Sequence, residues 1–237
     1  MIGYLFAQTL QNLIPEKTVT CVLTQSVVSA EDPAFENPTK FIGPVYSEAE
    51  AQVLAREKGW CMKLDGGYWR RVVASPQLIR LGEMPAIKTL VDAGMLVISG
   101  GGGGVPVVVE EQKGSEGRAS TLRGIEAVID KDFCESLLAR ELHADQLVIA
   151  TDVKGVYVNW GTPEARCIQR ASPEALLAMG FAAGFMGPKV IAACEFVNAT
   201  NGIASIGAIE DISAIVANDA GTLVDPSATE TEYYPSC

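Results

Sequence analysis

Three short stretches carry residue types that could do chemistry on a phosphate. In MLVISGGGGGVPVVV (Met95–Val109), five consecutive glycines, Gly100 to Gly104, stand between two apolar runs. Each glycine loses more conformational freedom on folding than any other residue. Such a run is therefore either a linker or a place where bare backbone approaches something closely. A linker would be padded with Ser and polar residues; here a strand pattern resumes at once, which favours close approach. Backbone N–H groups without side chains can converge on an anion. The run is not a Walker A loop, because no Gly-Lys-Ser/Thr follows, nor a dinucleotide fingerprint, because VPVVV rather than a helix comes next.

The second stretch is AVIDKDFCESLLA, where Asp130, Lys131 and Asp132 interrupt an apolar run at the start of a helix. Acids decorating a helix N-terminus account for the aspartates. They leave Lys131, set between Ile129 and Phe133, without an explanation that a catalytic role would supply. The third is GFMGPKVIAACEF, with Lys189 in the first turn of a helix behind Gly187 and Pro188. A lysine there opposes the helix dipole unless it shares an anion with the helix N-terminus; a lysine on a solvated face is the plain alternative. Glycines, lysines and acids without histidine suit phosphoryl transfer. That reaction needs positive charge and N–H donors around the moving group, and acids that hold the lysines in place.

Composition narrows the field in the same direction. His143 is the only histidine among 237 residues, so a triad with a histidine base or a histidine metal site has almost nothing to work with. Six widely scattered cysteines without a C-x-x-C pair argue against a zinc ribbon or a disulfide framework, and for reduced thiols in the cytoplasm. The net charge of −11 argues against nucleic acid or an anionic membrane as partner. No apolar segment approaches the roughly 18 residues needed to cross a bilayer, and the apolar N-terminus has no basic region or cleavage site of a signal peptide.

The elements that must position these residues alternate between strand and helix. After a helix-like opening, Thr18–Thr24 reads as a strand. Residues 33–73 form an irregular excursion with a charged helix ending at Gly59, of the kind that makes a small projecting lobe. Pro85–Ala93 reads as a helix, Met95–Ile98 and Val105–Val109 as strands, and Ile125–Leu142 as a long helix after the polar loop EEQKGSEGRAST. DQLVIATD and GVYVNWG read as strands. SPEALLAMG reads as a helix with Ser172 as N-cap and Pro173 at N1, and GPKVIAACEFVNATNG as a helix closed by Gly202. IASIGAI, EDISAIVAND and GTLV complete a series of strand, helix and strand. The alternation implies an α/β fold with a mainly parallel sheet covered on both faces. Ligands in such folds lie beyond the carboxyl ends of the strands. The tail 225–237 has no core-facing pattern and is expected to be loose.

In order along the chain, NPTKFIGPVY, WRRVVASP, SGGGGGVPV, GIEAVIDKDFCESLLA, ATDVKGVYVNWGTP and MGPKVIAACEFV closely resemble carbamate kinase, of the amino-acid-kinase fold. The resemblance implies an open three-layer αβα sandwich over residues 1–224, with a protruding subdomain at about 33–73. It implies a cytoplasmic homodimer that uses Mg-ATP to phosphorylate carbamate. The reverse reaction makes ATP from ADP and carbamoyl phosphate in arginine, agmatine, purine or allantoin breakdown. Lys40 resembles the lysine that reaches the carbamate or its phosphate. Lys131 and Asp132 resemble the lysine that neutralises transfer charge and the aspartate that organises the lysines. Lys189 resembles the lysine on the ATP phosphates, with Asp152, Tyr157, Met186 and Gly187 around the nucleotide. Gly101, Gly102, Gly103 and Gly104 resemble the loop holding the carbamoyl-phosphate anion, and Gly100 stands where a Ser is expected. No family motif demands Lys154 as a further cation.

Other amino-acid kinases, acting on acetylglutamate, aspartate or a nucleoside monophosphate, would keep the fold but lose PTKFIGP and AVIDKDF. Family members also begin with a strand and glycine loop of the type ALGGNA, followed by HGNGPQVG. Neither motif occurs in this sequence, and Met1-Ile2-Gly3-Tyr4 matches a helix well inside the family pattern. The resemblance therefore carries the expectation of uncovered apolar faces and of weak or no activity for the chain as written. The alternative reading is an inactive truncated homologue or a non-catalytic partner subunit.

Overall fold

Local capping signals set several helix boundaries in the computed structural model, which describes residues 2–111, 120–181 and 185–235. Most of the polar loop Glu110–Thr121 and all of Cys237 fall outside the described residues. The single domain expected over 1–224 divides into two compact units, Met1–Cys134 and Glu135–Cys237.

The first unit opens with α1 (Ile2–Leu13), β1 (Val19–Cys21) and β2 (Gln25–Val28). None of the residues of α1 is buried, and Ile2, Leu5, Phe6 and Leu13 are each at least 55% exposed. Thr18–Thr24 is not one strand. β1 pairs in parallel with β7 (Leu96–Ile98), whereas β2 pairs in parallel with β8 (Val105–Glu111). Between them the chain steps from one partner to the other: Val22 N–H donates to the Ile98 carbonyl at 2.8 Å, and the Thr24 carbonyl accepts from Val105 N–H at 2.8 Å. The glycine run spans the matching step on the other side.

Residues 33–73 form β3 (Lys40–Tyr46), α2 (Glu48–Lys58), β4 (Met62–Asp65) and β5 (Tyr68–Val73), and the three strands make an antiparallel sheet ordered β3-β5-β4. Turn residues and proline obscured β3 in the sequence. α2 starts in a capping box, in which Ser47 N–H donates to Glu50 Oε2 at 2.9 Å while Glu50 N–H donates to Ser47 Oγ at 3.4 Å. The side-chain and backbone hydrogen bonds from Ser47 hold the Glu50 carboxyl below its ordinary value. β6 (Leu78–Leu81) and α3 (Met84–Asp92) follow, and β9 (Ser120–Gly124) completes a sheet ordered β6-β2-β8-β9.

Helix α4 (Lys131–Glu141) is shorter than the expected Ile125–Leu142. Residues 125–129 are held extended because Ile125 N–H donates to the Pro106 carbonyl at 3.1 Å and Val128 N–H to the Ala74 carbonyl at 3.0 Å. Asp130 then accepts the Asp132 N–H on Oδ1 at 3.0 Å and starts the helix as its N-cap.

The second unit contains β10 (Gln146–Thr151), β11 (Tyr157–Val158), β12 (Arg166–Ala171), α5 (Pro173–Met179), α6 (Met186–Thr200), β13 (Ile203–Ala208), α7 (Ile212–Val216) and β14 (Thr222–Val224). Its sheet runs β10-β13-β14-β12-β11, with β10–β13 and β12–β14 parallel. Ser172 caps α5 as expected, accepting Ala175 N–H. Helix α6 is apolar nearly all round, and Val190, Ala192, Ala193, Cys194, Phe196 and Val197 are buried. It packs on α5 and β13, and Ser136 Oγ donates to its Ala192 carbonyl at 2.8 Å. Burial, helped by Glu195, pushes the Cys194 thiol up to about 12. The cap of α6 is Asn201, left-handed at φ 57°, one residue before the expected Gly202.

The tail expected to be loose is ordered through Pro235. β15 (Glu232–Tyr233) pairs antiparallel with β12, and Arg170 donates to Asp225 Oδ2 through Nη2 at 2.7 Å and to Glu232 Oε1 at 3.3 Å. The sequence pattern could not show this, because the tail is held by charge and edge pairing rather than by a buried face.

The five glycines have unequal packing demands. Gly103 sits at φ +114°, and a Cβ there would overlap the Ile129 carbonyl; a Cβ at Gly104 would overlap Ser26 Oγ. At Gly102 nothing lies within 4 Å and φ is not positive. We expect Gly103→Ala to destabilise the chain by about 2–4 kcal/mol through overlap and backbone strain. Gly102→Ala should stay within about 0.5 kcal/mol. Urea denaturation midpoints of the two variants check this, and equal midpoints would contradict the packing account.

Asp225 gives a pH dependence. Burial pushes its carboxyl up, but the Ser227 N–H and hydroxyl and the Arg170 guanidinium outweigh burial and hold it below its ordinary 3.8. A depressed folded-state pKa contributes stability above the unfolded value and loses it as pH falls through the folded one. The Tm deficit of Asp225→Asn should thus be constant from neutral pH down to about 5 and shrink below about 4. A deficit independent of pH would refute it.

Candidate functional site

In the first unit, the pairing of β3 with β5 brings together residues far apart in sequence. Lys40, first in β3, lies opposite Val73, and the next carbonyl, that of Ala74, takes the Val128 N–H. Two residues on, Asp130 Oδ2 accepts from Lys40 Nζ at 2.6 Å, while its Oδ1 holds the Asp132 N–H. One carboxylate therefore both starts α4 and fixes the lysine. The Asp130 side chain is 13% exposed and that of Lys40 37%, so the lysine stays partly open to solvent. Asp130 lies among the acids noted in the sequence, but its bond to a lysine 90 residues away has no sequence signal.

Lys131 is the first residue of α4 and is exposed, whereas Asp132 is 4% exposed. Both therefore stand beside Asp130 but face different surroundings. Gly100, Gly101, Gly102 and Gly104 line a cavity of about 810 Å3 with Thr24, Ser99, residues 127–129 and apolar side chains of α1 and of the step between β1 and β2. Gly100 N–H donates to Thr24 Oγ1 at 2.9 Å, Gly101 N–H to the Ser99 carbonyl at 2.8 Å, and Gly103 N–H to the Gly100 carbonyl at 3.0 Å. Within the run, three N–H groups are thus spent on closing the turn. Gly101 and Gly102 line the cavity without neighbours at the Cβ position, while Gly103 and Gly104 serve close packing.

The second unit holds the remaining expected residues. Lys189 is 5% exposed in the first turn of α6, with Nζ 5.6 Å from the Phe185 ring centroid. The solvated-face alternative for this lysine is therefore excluded. Met186 and Gly187 open the same helix, and residues 182–184 before it lie outside the described residues. Asp152 is exposed and accepts from Thr151 Oγ1 at 3.2 Å. His143 is exposed just beyond α4 at φ 51°.

A cavity of about 840 Å3 in this unit is lined by Lys154, Tyr157, Arg166, Cys167, Asp211, Asp219 and Tyr234, among others. Tyr157 was expected at a ligand site; Lys154 was noted, and Arg166 and Tyr234 were not. Asp152, Met186, Gly187 and Lys189 are not part of its lining. Gly155 makes the tight turn beneath it, where a Cβ would meet Thr222 Oγ1 at 2.8 Å and Cys167 Sγ at 2.9 Å. Thr222 Oγ1 accepts the Val156 N–H at 2.8 Å and donates to the Ile168 carbonyl at 2.6 Å, which locks β11, β12 and β14 together. Burial pushes the Cys167 thiol up against the lowering effects of Tyr157, Thr222 and Lys154. The lining thus holds two cations, Lys154 and Arg166, two tyrosines and the acids Glu164, Asp211 and Asp219.

Comparison with known proteins places the chain. Residues 44–206 match the amino acid kinase family. The carbamate kinase of Rhizobium meliloti (strain 1021) is 48% identical over 235 residues, covering 99% of this chain and 71% of that protein. That of Haemophilus influenzae is 47% identical over 235 residues, covering 99% and 74%. Among solved structures, carbamate kinase from Giardia lamblia bound to AMP-PNP superposes with a TM-score of 0.80 at 37% identity, over 94% of this chain and 72% of that one. The chain belongs to the carbamate kinases of the amino acid kinase family.

Proposed function

We propose that this chain performs reversible phosphoryl transfer between ATP and carbamate, with Mg²⁺ entering as the partner of the nucleotide. The observation that carries the reading is the Lys40–Asp130 pair standing next to the glycine-lined cavity. In the forward direction a carbamate oxygen attacks the γ-phosphorus, the new O–P bond forms, and ADP leaves with the electrons of the broken bond. In reverse, ADP takes the phosphoryl group from carbamoyl phosphate. Negative charge spreads over the transferring oxygens, and fixed positive charge lowers the barrier most when it needs no reorganisation.

The roles we assign join the family resemblance to each residue's placement. Lys40, oriented by Asp130, pairs with the carbamoyl-phosphate oxygens beside the backbone of Gly101 and Gly102. Lys131, exposed at the helix start, meets the charge of the transferring group. Asp132, buried beside Asp130, organises the lysines. In the second unit, Lys189 and the α6 N-terminus (Met186, Gly187) favour phosphate, and the cavity with Tyr157 and Lys154 takes the nucleoside; Asp152 stands in the loop leading to it. The same reading includes a homodimer in the cytoplasm, in keeping with scattered reduced cysteines. Among the described residues, no helix is long and apolar enough to cross a membrane.

ATP formation from ADP and carbamoyl phosphate with Mg²⁺ tests the proposal. Lys131→Ala should lower kcat by at least about a hundredfold, the usual loss of one preorganised charge or donor. Asp130→Asn should mainly raise KM for carbamoyl phosphate, because it frees Lys40 rather than removing it. Activity unchanged in Lys131→Ala would refute its assigned role, and absence of any ATP formation by a folded sample of the unmodified chain would refute the function.

A further inference from the structure

The ordered tail has no part in the roles above, yet it reaches the second unit's cavity. Four contacts hold it to β12. Strand β15 pairs Tyr233 with Ile168 and Glu232 with Arg170. The Arg170 guanidinium clamps Asp225 and Glu232, and the Arg166 guanidinium lies 3.8 Å from the Tyr233 ring centroid. Tyr234 N–H then donates to the Cys167 carbonyl at 3.0 Å. Successive side chains of an extended segment point to opposite faces. Tyr233 is therefore spent on Arg166, and Tyr234 turns to the cavity, where it is part of the lining with Tyr157, Lys154 and Cys167.

The orientation of that ring is fixed. Tyr234 Oη donates to the Gly221 carbonyl at 2.9 Å, on the turn that enters β14. Burial, with Cys167 and Asp219 nearby, raises the Tyr234 phenol above its ordinary value, so the hydroxyl stays protonated and keeps donating. The residue is half-buried and belongs to the cavity lining. A fixed aromatic ring in the same lining as a second tyrosine and Lys154 is matched to a planar base carrying phosphates.

We infer that the C-terminal segment 225–235 is a built wall of the nucleotide cavity and that Tyr234 is a specificity-determining residue whose ring packs on the nucleobase. The inference rests on the reading of this cavity as the nucleotide site. It assigns the tail a contribution to base binding, and none to binding of the phosphates.

Binding titrations on the full chain separate these possibilities, with ADP as the base-bearing probe and tripolyphosphate as the probe without a base. Tyr234→Ala should weaken ADP by roughly tenfold or more, the usual effect of removing one stacking partner, and leave tripolyphosphate unchanged. Tyr234→Phe keeps the ring and should stay within about threefold for ADP, by the modest net worth of one hydrogen bond. Should Tyr234→Ala fail to fold, photolabelling of the unmodified chain with 2-azido-ADP decides the matter by mass spectrometry. Label on Tyr233–Pro235 supports the inference, and label confined to other segments overturns it. ADP binding that is indifferent to Tyr234→Ala overturns the tail's role and leaves the nucleotide reading intact. No ADP binding by the unmodified chain overturns that reading and the inference with it.

Discussion

The close approach of Gly103 to the Ile129 carbonyl is the contact on which the first unit's chemistry depends. It brings the turn after β7 against the extended segment 125–129, at a distance that no side chain at position 103 would permit. Ser26 Oγ donates to the Gly103 carbonyl at 2.6 Å in the buried interior, and Thr24 Oγ1 holds the Gly100 N–H, so β2 is tied to the same turn. Once Ile129 is fixed, Asp130 can only begin α4 where it does. Its carboxylate is then placed for Lys40, which arrives from a separate antiparallel sheet. Strand pairing, glycine packing and helix capping thus act as one positioning device.

The second unit solves a comparable problem with different means. Helix α6, half of whose residues are buried, has no capping side chain at its start; packing on α5 and β13 stabilises it. That freedom allows a buried lysine in its first turn, a position that electrostatics alone disfavours. The cavity nearby is framed by one hydroxyl, that of Thr222, which links three strands. It is framed on another side by a tail held through charge pairs. Arg170 makes two acids of the tail worth ordering, and that order carries Tyr234 to the cavity.

Several of the family motifs fall on tight turns, helix starts and buried positions within each unit. In the first unit Lys40 is held by Asp130 beside the buried Asp132, and in the second Lys189 is buried in the first turn of α6. The second unit's cavity is less legible in the pattern, because part of its wall comes from strand β12 and from the tail. Neither segment carries a motif. β12 reads RCIQRA, whose alternation is broken by charge, and DPSATETEYYP offers no apolar face.

By itself the sequence determined the α/β class, most helix starts, the phosphoryl-transfer chemistry and the family, because each follows from local residue types: the cap at Ser172, glycines between apolar runs, lysines among acids. It also carried Asp130 in plain view as the acid before a helix. Only the tertiary structure decided that Asp130 holds Lys40, that Gly103 and Gly104 are closely packed while Gly101 and Gly102 have open space at the Cβ position, and that α4 begins at Lys131 rather than Ile125. The same holds for the tail. These outcomes depend on hydrogen bonds and ion pairs between residues tens of positions apart. No periodicity or propensity along the chain encodes such pairs; they exist only once the strands have chosen their partners.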